Sequence, residues 1–250
     1  MLLTPNFVYI HYPKTGGTFV TEILKKVHNN PEFGSLVDTT TAGTKHGQCR
    51  QIPPDHQHKP IVSTMRNPYD RYVSAYEFGW WKKYPESFFE DVNFVKQKYP
   101  YFPSLSFAEY LEAINSLCKF HTLETPNLDP DLSIGRQTQN FIKYFFNKPV
   151  EAIFAKFNRE YIRSKDYLED LFSVRFLNTE TLNQDLYDLL LEFEYPQKDI
   201  QFILTADKIF PPEGGRSEEQ NWQNYYTPEL KEFVKLREML LFSIFPEFDV

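Results

Sequence analysis

One stretch constrains this chain more than any other: Tyr12-Pro13-Lys14-Thr15-Gly16-Gly17-Thr18, with Phe7–Ile10 before it and Phe19 to Val27 after it. The residues before it are aromatic and β-branched, as in a short buried strand. The residues after it put Phe19, Val20, Ile23, Leu24 and Val27 on one helical face. A strand, a glycine turn and a helix start form an anion site for a simple reason. Glycines let backbone N–H groups approach a phosphate, and the helix N-terminus adds a favourable dipole. Lys14 adds a full positive charge at the same place. The stretch reads as a phosphate cradle for a nucleotide. Taken alone, it fits a plain Pro-Gly-Gly turn between strand and helix equally well.

A second strand follows at Pro60 to Met65 and ends at Arg66-Asn67-Pro68, where Pro68 suits the first turn of a helix. That helix runs through Tyr69, Tyr72, Val73 and Tyr76 towards Trp80-Trp81. The first third therefore reads β-α-loop-β-α, the pattern of an α/β fold with a parallel sheet flanked by helices. Ligands of such sheets bind beyond the carboxyl ends of the strands, which puts Arg66 on the edge that carries Lys14. Arg66 offers a forked, charged donor. Ser74 offers a hydroxyl about two helical turns later.

The remainder is organised as one domain over residues 1–250 with an aromatic, proline-punctuated insertion around 84–135. Residues 84–103 are expected to lie over the surface as a substrate wall. Ser106 and Glu109 form a capping box for a helix through Leu117. Gln137 to Phe146 is helical, Ser173 to Leu177 a later strand, and Leu182 to Phe193 the helix after it. Glu213 to Ser217 is a polar turn. Thr227-Pro228 starts a last helix whose apolar face includes Leu230, Phe233, Val234, Leu240, Leu241 and Ile244.

Composition removes several classes. The formal charge of −7 argues against a general nucleic-acid binder, which shows a basic surplus. Two cysteines, Cys49 and Cys118, make neither a disulfide scaffold nor a zinc motif, and buried thiols are expected. The N-terminus lacks the features of a signal peptide, and no apolar run is long enough for a membrane span. A soluble, cytoplasmic protein is expected.

Taken together, Pro13-Lys14-Thr15-Gly16-Gly17-Thr18 and Arg66-Asn67-Pro68-Tyr69-Asp70-Arg71-Tyr72-Val73-Ser74-Ala75-Tyr76 resemble the two phosphate motifs of the sulfotransferases that use 3′-phosphoadenosine 5′-phosphosulfate (PAPS). The carbohydrate-type branch is the nearest in pattern. Order and separation match, from about Phe7 to Tyr76. Asn178-Thr179-Glu180-Thr181-Leu182 resembles a late family segment, and Arg216 to Phe233 does so weakly. Little aligns between Trp80 and Lys156.

The resemblance implies a P-loop NTPase-like fold, PAPS as co-substrate and no metal. It assigns the 5′-phosphate to Thr15, Gly16, Gly17 and Thr18 and the leaving phosphate to Lys14. The 3′-phosphate falls to Arg66 and Ser74. Arg216, with Ser217 assisting, matches a basic residue that closes over the nucleotide. Lys45-His46-Gly47 resembles a Lys-His pair found between the two motifs, which makes His46 the candidate general base. An imidazole with an ordinary pKa of about 6.5 suits that task. His11, Glu77 and Asp70 are the competitors, although Asp70 is expected to pair with Arg71 or cap its helix. The acceptor is a hydroxyl, expected on a carbohydrate.

Two rivals stand beside this reading. A P-loop kinase would need Gly-x-x-x-x-Gly-Lys-Ser/Thr, whereas Lys14 precedes its glycines. A non-catalytic nucleotide- or glycan-binding module would tolerate loss of the base.

Overall fold

Phe7 to Ile10 alternate between two buried environments, and so lie inside a sheet covered on both faces. The computed structural model describes residues 1–39, 46–118, 134–209 and 216–250. Among them the strands are β1 (Leu2–Leu3), β2 (Val8–Ile10), β3 (Val37–Asp38), β4 (Ile61–Met65) and β5 (Val174–Asn178). They form one sheet in the order β3-β1-β2-β4-β5. The strands β2, β4 and β5 are mutually parallel, with Ile10 opposite Ser63 and Met65 opposite Asn178. The carboxyl ends of these three strands therefore share one edge. The Ser63 hydroxyl donates to the Ile10 carbonyl at 2.8 Å and ties two of those ends together.

The fold is α/β with a mostly parallel central sheet. β1 is antiparallel to β2 and to β3, an addition to the expected parallel pattern. Two-residue strands are too short to show a period.

The chain divides into two compact units, each made of two stretches. The first, Met1–Arg66 with Leu171–Gly214, holds the whole sheet. Its helix α1 (Gly17–Val27) buries Phe19, Val20, Ile23, Leu24 and Val27. These residues pack in one cluster with Phe7 and Tyr9 from the start of the sheet, Val62, Leu177, and Leu182, Leu186, Leu189 and Leu190 of the helix Leu182–Glu192. Truncating a fully buried leucine in such a cluster costs about 2–5 kcal/mol.

The second unit, Asn67–Asp170 with Gly215–Val250, is helical. Its helix α2 (Pro68–Phe78) is capped by the Asn67 side chain, which accepts from the Tyr69 N–H at 2.9 Å. It stops at Gly79, a left-handed residue at φ 69°, so Trp80-Trp81 begin a separate short helix. The Ser106–Glu109 capping box opens the helix Phe107–Ser116 as expected. Residues 84–103 are anchored by buried Phe89, Val95 and Tyr99, while Tyr84, Phe94 and Tyr101 are exposed.

The last expected helix is two: Pro228–Arg237 and Met239–Ile244. Glu238 lies at the break, fully buried. It accepts from the Gln137 and Thr138 N–H groups at 3.1 and 2.7 Å and from the Thr138 and Tyr72 hydroxyls. A carboxylate turned inward to satisfy another helix's first amides interrupts a continuous apolar spacing.

Candidate functional site

The loop between β2 and α1 turns on two left-handed residues, Lys14 at φ 67° and Gly16 at φ 85°. The Gly16 conformation needs a glycine, and a Cβ there would come within 2.7 Å of Leu182 Cδ2. Gly16 is also the N-cap of α1. Among the described residues no side chain caps this end, and the first turn carries no acid. The first-turn N–H groups of this eleven-residue helix thus face no acid of the helix's own first turn. Lys14, Gly16 and Thr18 are half-buried at this end, and Gly17 is buried.

Thr15 points the other way. Its hydroxyl is fully buried, 2.8 Å from the Tyr12 carbonyl and 2.7 Å from Thr64 Oγ1. What Thr15 can offer a phosphate is its backbone N–H, and its side chain serves as an internal strut. Thr179, just past β5, adds a second strut. Its hydroxyl lies 2.8 Å from the Met65 carbonyl and 3.2 Å from the Thr15 carbonyl. In the sequence Thr179 has no role of its own beyond its place in the late segment 178–182, and its further signal is position: a hydroxyl directly after a strand on the ligand-binding edge.

Arg66 follows β4 at the same edge, and its Nη1 reaches the Lys14 carbonyl at 3.5 Å, a long and weak contact. The sheet register thus brings the guanidinium to the loop, as the β-α-β pattern implies.

His46 joins the same unit; Lys45, its partner in the sequence motif, lies outside the described residues. His46 is exposed, and its Nδ1 sits 3.2 Å from the His11 carbonyl. A carbonyl only accepts, so Nδ1 is the donor in this pair, and a neutral ring in that tautomer has its lone pair on Nε2. The His11 ring lies edge-to-face with that of His46, centroids 5.0 Å apart. His11 itself is buried, with Nδ1 3.3 Å from Thr21 Oγ1. A Cβ on Gly17 would meet the His11 ring at 2.5 Å, so the second glycine is what seats this histidine under the helix.

In the second unit, α2 carries Asp70, Ser74 and Glu77 at helical spacing on one face. Asp70 binds Arg216 through Oδ1 and Nη2. This partner is 146 residues away, and the capping role expected of Asp70 belongs to Asn67. Arg216 also donates to the Gln220 carbonyl at 3.2 Å. Glu77, a competitor for the role of base, accepts from Gln220 Nε2 and from the Tyr225 hydroxyl at 2.7 Å. Tyr226 donates to the Tyr69 carbonyl at 3.0 Å. Residues 216–226 are thus strapped along the α2 face that includes Ser74, itself buried at 8% exposure. Ser217 is exposed, and its N–H donates to Gln220 Oε1 at 2.9 Å. The rest of the expected polar turn, 213–215, lies outside the described residues.

No family model matches the sequence, and no curated protein does. Among solved structures the chain is similar to mouse sulfotransferase SULT7A1 complexed with PAP. The identity is 12% and the TM-score 0.43, over 95% of this chain and 83% of that one.

Proposed function

We propose that this protein transfers a sulfuryl group from PAPS to an acceptor hydroxyl, with a carbohydrate as the acceptor class. One observation carries the reading: a lysine precedes the left-handed glycine that opens an uncapped helix, with an arginine from the neighbouring strand at the same loop. The donor set suits an anionic nucleotide, since it offers cations and N–H groups with no acid in the helix's first turn.

The residues divide the work by chemistry. The N–H groups of Thr15 to Thr18 hold the 5′-phosphate. Lys14 meets the charge that grows on the bridging oxygen as the S–O bond breaks. His46 Nε2 takes the acceptor's proton while the new O–S bond forms, and its Nδ1–H stays on the His11 carbonyl. By the sequence motif, Arg66 and Ser74 take the 3′-phosphate, and Arg216 with Ser217 closes over the nucleotide.

Thermal shift with 3′-phosphoadenosine 5′-phosphate (PAP) against ADP tests the reading, because a ligand that binds only the folded state raises Tm with concentration. PAP is expected to stabilise at concentrations where ADP does not. Equal stabilisation by both, or by neither, sinks the proposal.

A further inference from the structure

We infer that Asp70 is the positioning residue for Arg216, and that it sets the preference for a 3′-phosphorylated nucleotide. This rests on the reading above, which gives Arg216 the nucleotide as its ligand. The geometry is local to the second unit. Asp70 and Ser74 are one helical turn apart on α2. Asp70 holds the Arg216 guanidinium through Nη2, and the Gln220 carbonyl holds Nη1 at 3.2 Å. These bonds engage two of the five N–H donors of a guanidinium. Ser74 is the next residue on that face, one helical turn beyond the carboxylate that holds the guanidinium.

The environment favours a fixed fork over a wandering one. The Asp70 side chain is 13% exposed and that of Arg216 is 21% exposed. The segment behind the arginine is pinned a second time, where Glu77 accepts from Gln220 and Tyr225. An arginine held at both ends of its fork arrives at an anion with its rotamers already chosen, and less ordering entropy is lost on binding. A phosphate at the 3′ position is the group such a fork would sort for, since adenosine 5′-monophosphate (AMP) lacks it.

Titration calorimetry of the full chain with PAP and with AMP gives the discriminating readout, the ratio of the two affinities. Wild-type protein is expected to prefer PAP. Asp70→Asn keeps the side chain's shape and removes its charge. It should weaken PAP about tenfold and AMP less than about twofold, as expected when a desolvated charge pair loses one partner. Asp70→Glu, which restores the carboxylate, should recover part of the preference. Circular dichroism and Tm establish that each variant folds.

Three outcomes would overturn the inference: an unchanged PAP-to-AMP ratio in Asp70→Asn, an equal loss of both ligands, or tighter PAP binding, which would make Asp70 a competitor of the phosphate. Failure of the underlying reading looks different, because wild-type protein would then show no preference for PAP over AMP.

Discussion

At the scale of single residues, His46 and Thr15 show how a hydrogen bond orients a side chain. The His11 carbonyl accepts from His46 Nδ1 at 3.2 Å and so leaves Nε2 as the basic atom of the neutral ring. His46→Ala should abolish sulfuryl transfer and leave the PAP-induced shift in Tm within error of wild type. Retained transfer would move the base to another residue. The resemblance assigns Thr15 to the 5′-phosphate, and its hydroxyl bonds inward to Tyr12 and Thr64, which leaves the backbone N–H for that task. Residue type and loop position were legible. The direction of a side chain within a tight loop was not, because it depends on a β4 residue 49 positions away.

At the scale of elements, the short helices of the second unit are held by a buried acid. Asp170 has no exposed surface, and it takes Lys148 at 2.9 Å, Lys156, and the Tyr161 hydroxyl at 2.6 Å. Burial pushes its carboxyl up, but the bonds from Lys156, Tyr161 and Lys148 together outweigh burial and hold it below the ordinary value of 3.8. A depressed acid contributes stability that is present above its unfolded pKa and is lost as pH falls through the folded one. Asp170→Asn should therefore cost about 1–3 kcal/mol near neutral pH. The wild-type and variant stability curves should begin to converge as pH falls below the ordinary value of 3.8 and meet below the lowered value of the folded state. Denaturant melts across that range check this, and curves that stay parallel would refute it.

The same scale shows why some elements were readable and others were not. α1 and the helix Leu182–Glu192 carry a helical period over enough residues to declare themselves, and β2 and β4 stand out as short apolar runs bounded by turn residues. β1 and β3 have two residues each and no period to read. The break at Glu238 is masked by apolar residues that keep helical spacing on both sides of it. Its cause is a set of amides some hundred positions earlier. Asp70 lies in the second sequence motif, and its partner Arg216 is out of reach of any local pattern.

At the scale of the whole molecule, charge is the relevant quantity. The chain carries −7 overall, so a polyanionic nucleotide approaches against the net field and is held by the cations the reading assigns to it. Screening weakens attractions that are partly exposed, and Lys14 and Arg66 are half-buried. The Kd for PAP should rise about tenfold between about 0.05 M and about 0.5 M sodium chloride. Calorimetry over that series tests the dependence, and an affinity indifferent to salt would contradict an electrostatic grip.

The strut from Thr179 to the Thr15 carbonyl spans 164 positions, and the stretch 67–170 lies between β4 and β5. Seen in the order of synthesis, the loop leaves the ribosome long before the residue that braces it. A nascent chain that has reached Asp170 has made β4 but not the strand that will pair with its outer edge. For the time needed to translate the next few residues, at about 5–20 per second, that edge has no native partner. The most local motif in the sequence is thus finished by one of the most distant contacts in the chain, and ribosome pausing before Val174 would lengthen the interval in which an unpaired strand edge can find the wrong partner.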